Sequence, residues 1–227
     1  LNPVAARLEE HLRKLRALRG EGARAPARLE ELKRWQADRL ERTYEDFSAQ
    51  PRYRAATAFF IEDLYGAKDF SSRDQAMLRI LPVMTRMLPQ SAVETAALAI
   101  ELESLSEELD HTLAGALAPG LITEATYAEA YRASGNRADR ERQVELIDAT
   151  GRRLDTLVGR PLVERMLKLM RQPARMAGLA DLQDFLERGF AAFRAMQGAD
   201  EFLAVVKERE TRILNRLFSG AAKPFST

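Results

Sequence analysis

The chain has no cysteine, which excludes disulfides, thiolate metal ligands and a cysteine nucleophile. Histidine is nearly as scarce: only His11 and His111 are present. Lysine is also rare, with six residues against twenty-nine arginines. No G-x-G-x-x-G, phosphate loop or G-x-S-x-G occurs, which removes nucleotide binding by those loops and the hydrolase nucleophile elbow. No apolar run approaches the roughly 20 residues that span a bilayer. Net charge is +1, so no global field draws the protein to nucleic acid or membrane. The opening LNPVAARLEE does not have the build of a signal peptide, and a leading Leu points to numbering that starts inside a longer native chain. With the missing cysteines, this gives the expectation of a cytoplasmic protein.

What is present is a globular balance: 227 residues, 46% apolar and 30% charged. Apolar residues recur every three to four positions along most of the chain, and no segment alternates as a strand would. The pattern predicts an all-α fold, an irregular bundle of about eight or nine helices. It predicts one helical domain over residues 1–220 and a frayed tail over 221–227. Leu8, Leu12, Leu15 and Leu18 mark a first helix up to Gly20. Pro26 opens a second, carrying Trp35 and Tyr44 as exposed aromatics that could anchor an interface. Ser91 with Glu94 reads as a capping box at the head of the longest helix, whose stripe is Leu98, Leu102, Leu105, Leu109 and Leu113. Ser71 with Asp74 reads as another box. Thr123 and Asp200 read as further caps.

The stretch Ala55 to Phe70, AATAFFIEDLYGAKDF, is apolar almost all round a helical wheel and reads as the central, buried helix, ended by Gly66. Asp63 falls near its apolar centre. A carboxylate there needs a partner, so Glu62, Asp63 and Tyr65 are candidates for a buried ion pair or a pocket wall.

A metal centre has its own candidates. Glu108 and His111 form an E-x-x-H on one helix face, and Glu94, Glu101 and Glu108 lie seven apart. Two-metal helical bundles use two E-x-x-H pairs plus two further carboxylates. His11 has Leu8 at the position where the second Glu should stand, so the pair is incomplete. The expectation is therefore no cofactor. The alternative is a di-iron or other divalent metal site built from Glu101, Glu108, His111 and Asp63. Haem on His11 is weaker still, because Glu9 and Glu10 put that histidine on a solvated side. Arginine groups near residues 13–28 and 137–153 interleave with acids, which speaks for salt-bridged faces rather than a nucleic-acid surface.

The run FFIEDLYGAKDFSSRD (Phe59 to Asp74), with ELESLSEELD (Glu101 to Asp110) and ADEFLAVVKERE (Ala199 to Glu210), resembles an uncharacterised bacterial family of helical proteins. The resemblance covers most of the chain and implies a helical domain of unknown function, with no functional residue to carry over. The leading expectation is a non-enzymatic helical protein that associates with itself or with another protein, as a homodimer first. The rival is a carboxylate-bridged metal oxidase. A third reading is a binder of an apolar small molecule around Phe59, Phe60 and Tyr65.

Overall fold

The fold is organised around its longest helix, not around the phenylalanine-rich stretch. The structure, a computed structural model, describes residues 3–19, 25–64, 76–82 and 88–226, without the side chains of Asp63 and Leu64. The helices are α1 (Pro3–Arg19), α2 (Leu29–Thr43), α3 (Glu45–Ala49), α4 (Pro51–Phe59), α5 (Gln90–Ala116), α6 (Glu124–Ser134), α7 (Arg137–Val158), α8 (Pro161–Met176), α9 (Ala180–Ala195) and α10 (Asp200–Ser219). A π-helical turn, Phe60–Leu64, continues α4, and residues 76–82 are helical too. No strand occurs among the described residues. The all-α expectation holds, but the count of eight or nine is too low. The Pro26-to-Pro51 pattern divides at Tyr44 into α2 and α3, and a π turn interrupts the helix after α4.

Helix α5 packs against α1, α2, α6 and α7, and α7 in turn carries α10 and α9. Its apolar faces explain this position. Val93, Ala97, Ile100, Leu109 and Leu113 are buried, and they point to more than one side of the helix. The core falls into three apolar clusters: Tyr53, Phe193, Phe202 and Leu203 in one; Leu32, Leu113, Tyr127 and Leu217 in the second; Leu8, Leu12, Leu15 and Ile100 in the third. Close helix contact needs small residues at two points. A Cβ on Gly151 would lie 2.4 Å from Leu203, and one on Gly189 would lie 2.8 Å from Phe59.

Several local expectations change. Thr123 does cap α6, in a reciprocal box with Thr126. Ser91 does not cap α5, because Pro89 holds the N-cap position and the helix already includes Gln90. Proline tolerates this place, since the first helical amides have no intrahelical acceptor. Ala199, not Asp200, is the N-cap of α10. Ser71, Asp74, Tyr65 and Gly66 lie outside the described residues. At the other end, Pro224 is fully buried, and Phe225 packs edge-on to Trp35 and Tyr127.

Candidate functional site

A cavity of ≈ 100 Å³ lies between α2, the π turn, α5, α6, α7 and α10. Helical phase brings apolar and polar groups to it together. Ile61, Val144, Ile147, Phe202, Val206 and Leu214 form one side. Phe60 also lines it, its ring tilted against those of Phe193 and Phe202. A π turn adds one residue to a helical turn. Here both Phe60 and Ile61 reach the cavity.

The polar side holds two arginines, Arg39 and Arg140, and two carboxylates, Asp110 and Glu210. Arg39 of α2 donates to Glu210 of α10 at 2.8 Å, and the Tyr44 hydroxyl donates to the same carboxylate at 2.9 Å. Burial works against the Arg39 charge, but Glu210 outweighs it and keeps the guanidinium more basic than usual. Gln36 donates to Asp110 at 3.1 Å. Burial pushes the Asp110 carboxyl above the ordinary range, against the opposing pull of Arg140 and Lys33. Burial likewise raises the Tyr131 phenol. Gln143 donates to Ser106 at 2.7 Å.

Arg140 of α7 is only 5% exposed. Its guanidinium lies 4.7 Å from the centre of the Tyr131 ring and donates to the Leu109 carbonyl at 3.3 Å and, at 3.5 Å, to Gln143. It makes no direct ion pair with a carboxylate of the described residues, but its charge acts on the nearby Asp110 carboxyl, and its Nε is buried without a partner. Buried arginines are ordinarily paired, because desolvation of the charge is otherwise uncompensated.

Beside this cavity stands a second charged group, centred on Glu107 of α5. Its side chain is 2% exposed and receives Arg19 and Lys33, the latter at 2.7 Å, with His111 Nε2 3.4 Å away. Arg19 also bridges to Glu103 at 2.6 Å. Burial pushes the Glu107 carboxyl upward, but the two cations outweigh it and hold it below the usual range.

The residues singled out in the sequence are spread over the molecule. Glu101 pairs with Arg7 at 2.6 Å and Arg142 at 2.8 Å, whereas Glu108 pairs with Lys14 at 3.0 Å. Glu94 is taken by Arg153 at 2.7 Å. Among the described residues no group of three or more histidine, aspartate or glutamate side chains is arranged to hold a metal ion. His111 is half-buried rather than a surface residue. His11 is half-buried as well, with a buried, unpartnered Nδ1. Neither histidine lines the cavity. Glu62 is exposed, and the side chains of Asp63 and Tyr65 lie outside the described residues. Tyr44 is no exposed anchor: it is buried against Phe47 and reaches Glu210. Trp35 is half-buried and stacks on Tyr127 at 4.3 Å.

The sequence reading missed Glu107 and Arg140. Glu107 did carry a signal. Val93, Ile100, Glu107 and Ala114 stand seven apart, and all four are buried. A carboxylate in an otherwise apolar heptad position marks a buried acid. Arg140 has no comparable mark, since its neighbours Asp139, Glu141 and Arg142 all read as surface.

Among the described residues, helix α8 exposes Leu162, Leu169, Met170 and Met176, and Leu121 and, on α9, Leu186 are exposed elsewhere. Arg171 clamps α8 to α9 through Glu187, at 2.7 and 2.6 Å, and Arg194 of α9 reaches Glu164. No described helix is long and apolar enough to cross a membrane.

No curated protein and no solved structure matches the chain. The match is to a family model, that of the domain of unknown function DUF8198, over residues 15–224, and the chain belongs to this family.

Proposed function

We propose that this is a non-enzymatic helical protein that works by association, and that its first partner is a second copy of itself, met through α8. One observation carries the reading. Leu162, Leu169 and Met176 stand at seven-residue spacing on α8 and are 62%, 76% and 88% exposed. Seven residues are nearly two helical turns, so the three side chains form a single stripe along the helix. Only Ala174 of α8 is buried, although the helix is strongly two-sided. The ion pairs to α9 fix the helix from behind and leave this stripe facing outward.

Large apolar side chains exposed in a row favour a partner surface, with roughly 25 cal/mol for each Å² of apolar area removed from water. A stripe centred on Leu169 is self-complementary when two copies run antiparallel about a two-fold axis. That is the commonest symmetry of homo-oligomers.

Light scattering on the purified chain tests this. A dimer is expected, and Leu169→Glu should return it to a monomer with unchanged far-UV circular dichroism. A wild-type chain that is strictly monomeric, or a dimer indifferent to Leu169→Glu, would overturn the proposal.

A further inference from the structure

The exposed face of α8 is apolar along its centre and basic along one edge. On the helical wheel Arg165 falls between Leu162 and Leu169, and Lys168 and Arg175 follow on the same flank, all three exposed. Met170 lies on the opposite flank. The charges do not balance. Helix α8 carries Arg165, Lys168, Arg171 and Arg175 against Glu164 alone, and α9 carries Arg188 and Arg194 against Asp181, Asp184 and Glu187. The acids that reach α8 are already engaged: Glu164 by Lys168 and Arg194, Glu187 by Arg171. Arg175 acts on the Glu187 carboxyl without an ion pair of its own, and Arg165 makes no ion pair with any carboxylate of the described residues.

Two-fold pairing concentrates this excess. In the antiparallel α8 pair proposed above, on which the following rests, the two-fold axis lies in the contact plane and brings the same flank of both helices to the same side. One rim therefore receives Arg165, Lys168 and Arg175 from both copies, and the other receives both Met170 side chains. With the axis at Leu169 and a rise of about 1.5 Å per residue, Arg165 of one copy stands only ~3 Å along the helix from Arg175 of the other. Lys168 is held by Glu164, so the four arginines carry the excess, in two such couples. Like charges facing across an interface oppose association.

The chemistry of each couple selects the anion that relieves it. A guanidinium offers only donors and positive charge, in a fork that fits the oxygens of a phosphate. Two guanidiniums side by side call for two negative charges on one compact group. A phosphate carries about −1.5 to −2 and three or more acceptor oxygens, whereas a carboxylate carries one charge and two oxygens. We propose that the α8 pair holds a phosphate dianion, free or as a phosphomonoester, at each of its two arginine couples, between Arg165 of one copy and Arg175 of the other. The apolar stripe supplies the attraction and the anion removes the repulsion. Neither copy assembles the site alone, so the anion and the second copy bind together.

Sedimentation equilibrium of the full chain tests this at about pH 7.5, where phosphate is mostly dianionic. Sodium phosphate is compared with sodium chloride and sodium acetate of equal ionic strength, and with glycerol phosphate. The dissociation constant of the dimer is expected to fall about tenfold or more in phosphate relative to chloride and acetate. Arg165→Gln and Arg175→Gln should each abolish that difference and tighten the dimer in chloride, because a repelling charge is gone. Tightening by glycerol phosphate as well assigns the site to phosphomonoesters, and its failure assigns it to the free ion; both fit the proposal. A dimer equally tight in chloride, acetate and phosphate would overturn this inference and leave the α8 pair standing. A phosphate effect undiminished in both arginine variants would do the same. A chain that is monomeric in every salt would overturn both readings.

Discussion

Replacing Glu107 with Gln changes one atom of the side chain and removes the charge at the centre of a buried group. The glutamate is 2% exposed, and its partners Arg19 and Lys33 are 12% and 20% exposed. Removing one member of a buried ion pair typically costs about 3–5 kcal/mol, because the other charge is left without compensation. Arg19 keeps Glu103, and Lys33 retains some contact with water, so the lower end applies, about 3 kcal/mol. For a chain of this size that is roughly a 6–12 °C fall in melting temperature. Urea denaturation followed at 222 nm measures it.

The loss should also depend on pH. The folded carboxyl titrates below its unfolded value. Its contribution is therefore fully present above the unfolded value, about 4.3, and is lost as pH falls through the lower folded value. The gap between wild type and Glu107→Gln should close in acid. A variant within about 1 kcal/mol of wild type at pH 7 would refute the assignment of Glu107 as a buried electrostatic centre, as would a gap that widens in acid.

Glycine positions should respond with opposite signs. Gly151→Ala places a methyl against the buried Leu203 side chain, and overpacking of about 1–3 kcal/mol should outweigh the gain of about 1 kcal/mol in helix propensity. Gly115→Ala meets nothing within 4 Å and should stabilise by roughly 0.5–1 kcal/mol; chemical denaturation of both variants checks the contrast. Hydrogen bonds from Arg171 and Gln183 hold the Glu187 carboxyl down to about 2. Its contribution is present above the unfolded value and fades as pH falls from about 4.3 toward 2. Glu187→Gln should therefore be less stable than wild type near pH 6, by about 1 kcal/mol or less for a pair this close to solvent, and equal to it near pH 2. A constant difference across that range would contradict the role given to the α8–α9 clamp.

The sequence by itself determined that the chain is helical and where several helices run, because their causes are local. The period of Leu8, Leu12 and Leu15 gives α1, and Thr123 gives the start of α6. Helical spacing likewise marks most of the buried face of α10, at Phe202, Val206, Ile213, Leu214 and Leu217. It misjudged side chains whose burial depends on a neighbour. Tyr44 and Trp35 look exposed on their own helix, but are covered by α3 and α10 and by Tyr127 and Phe225. Glu101 and Glu108 look like a shared site on the wheel, yet each meets a different cation from another helix.

Only the tertiary structure decided the cavity. Gln36, Ile61, Asp110, Arg140 and Glu210 come from segments far apart in the chain, and no local period relates them. Periodicity reports which face of a helix turns inward, because that follows from 3.6 residues per turn. Which residues from other helices meet that face depends on how the rods cross, and those crossings are set by packing over the whole molecule.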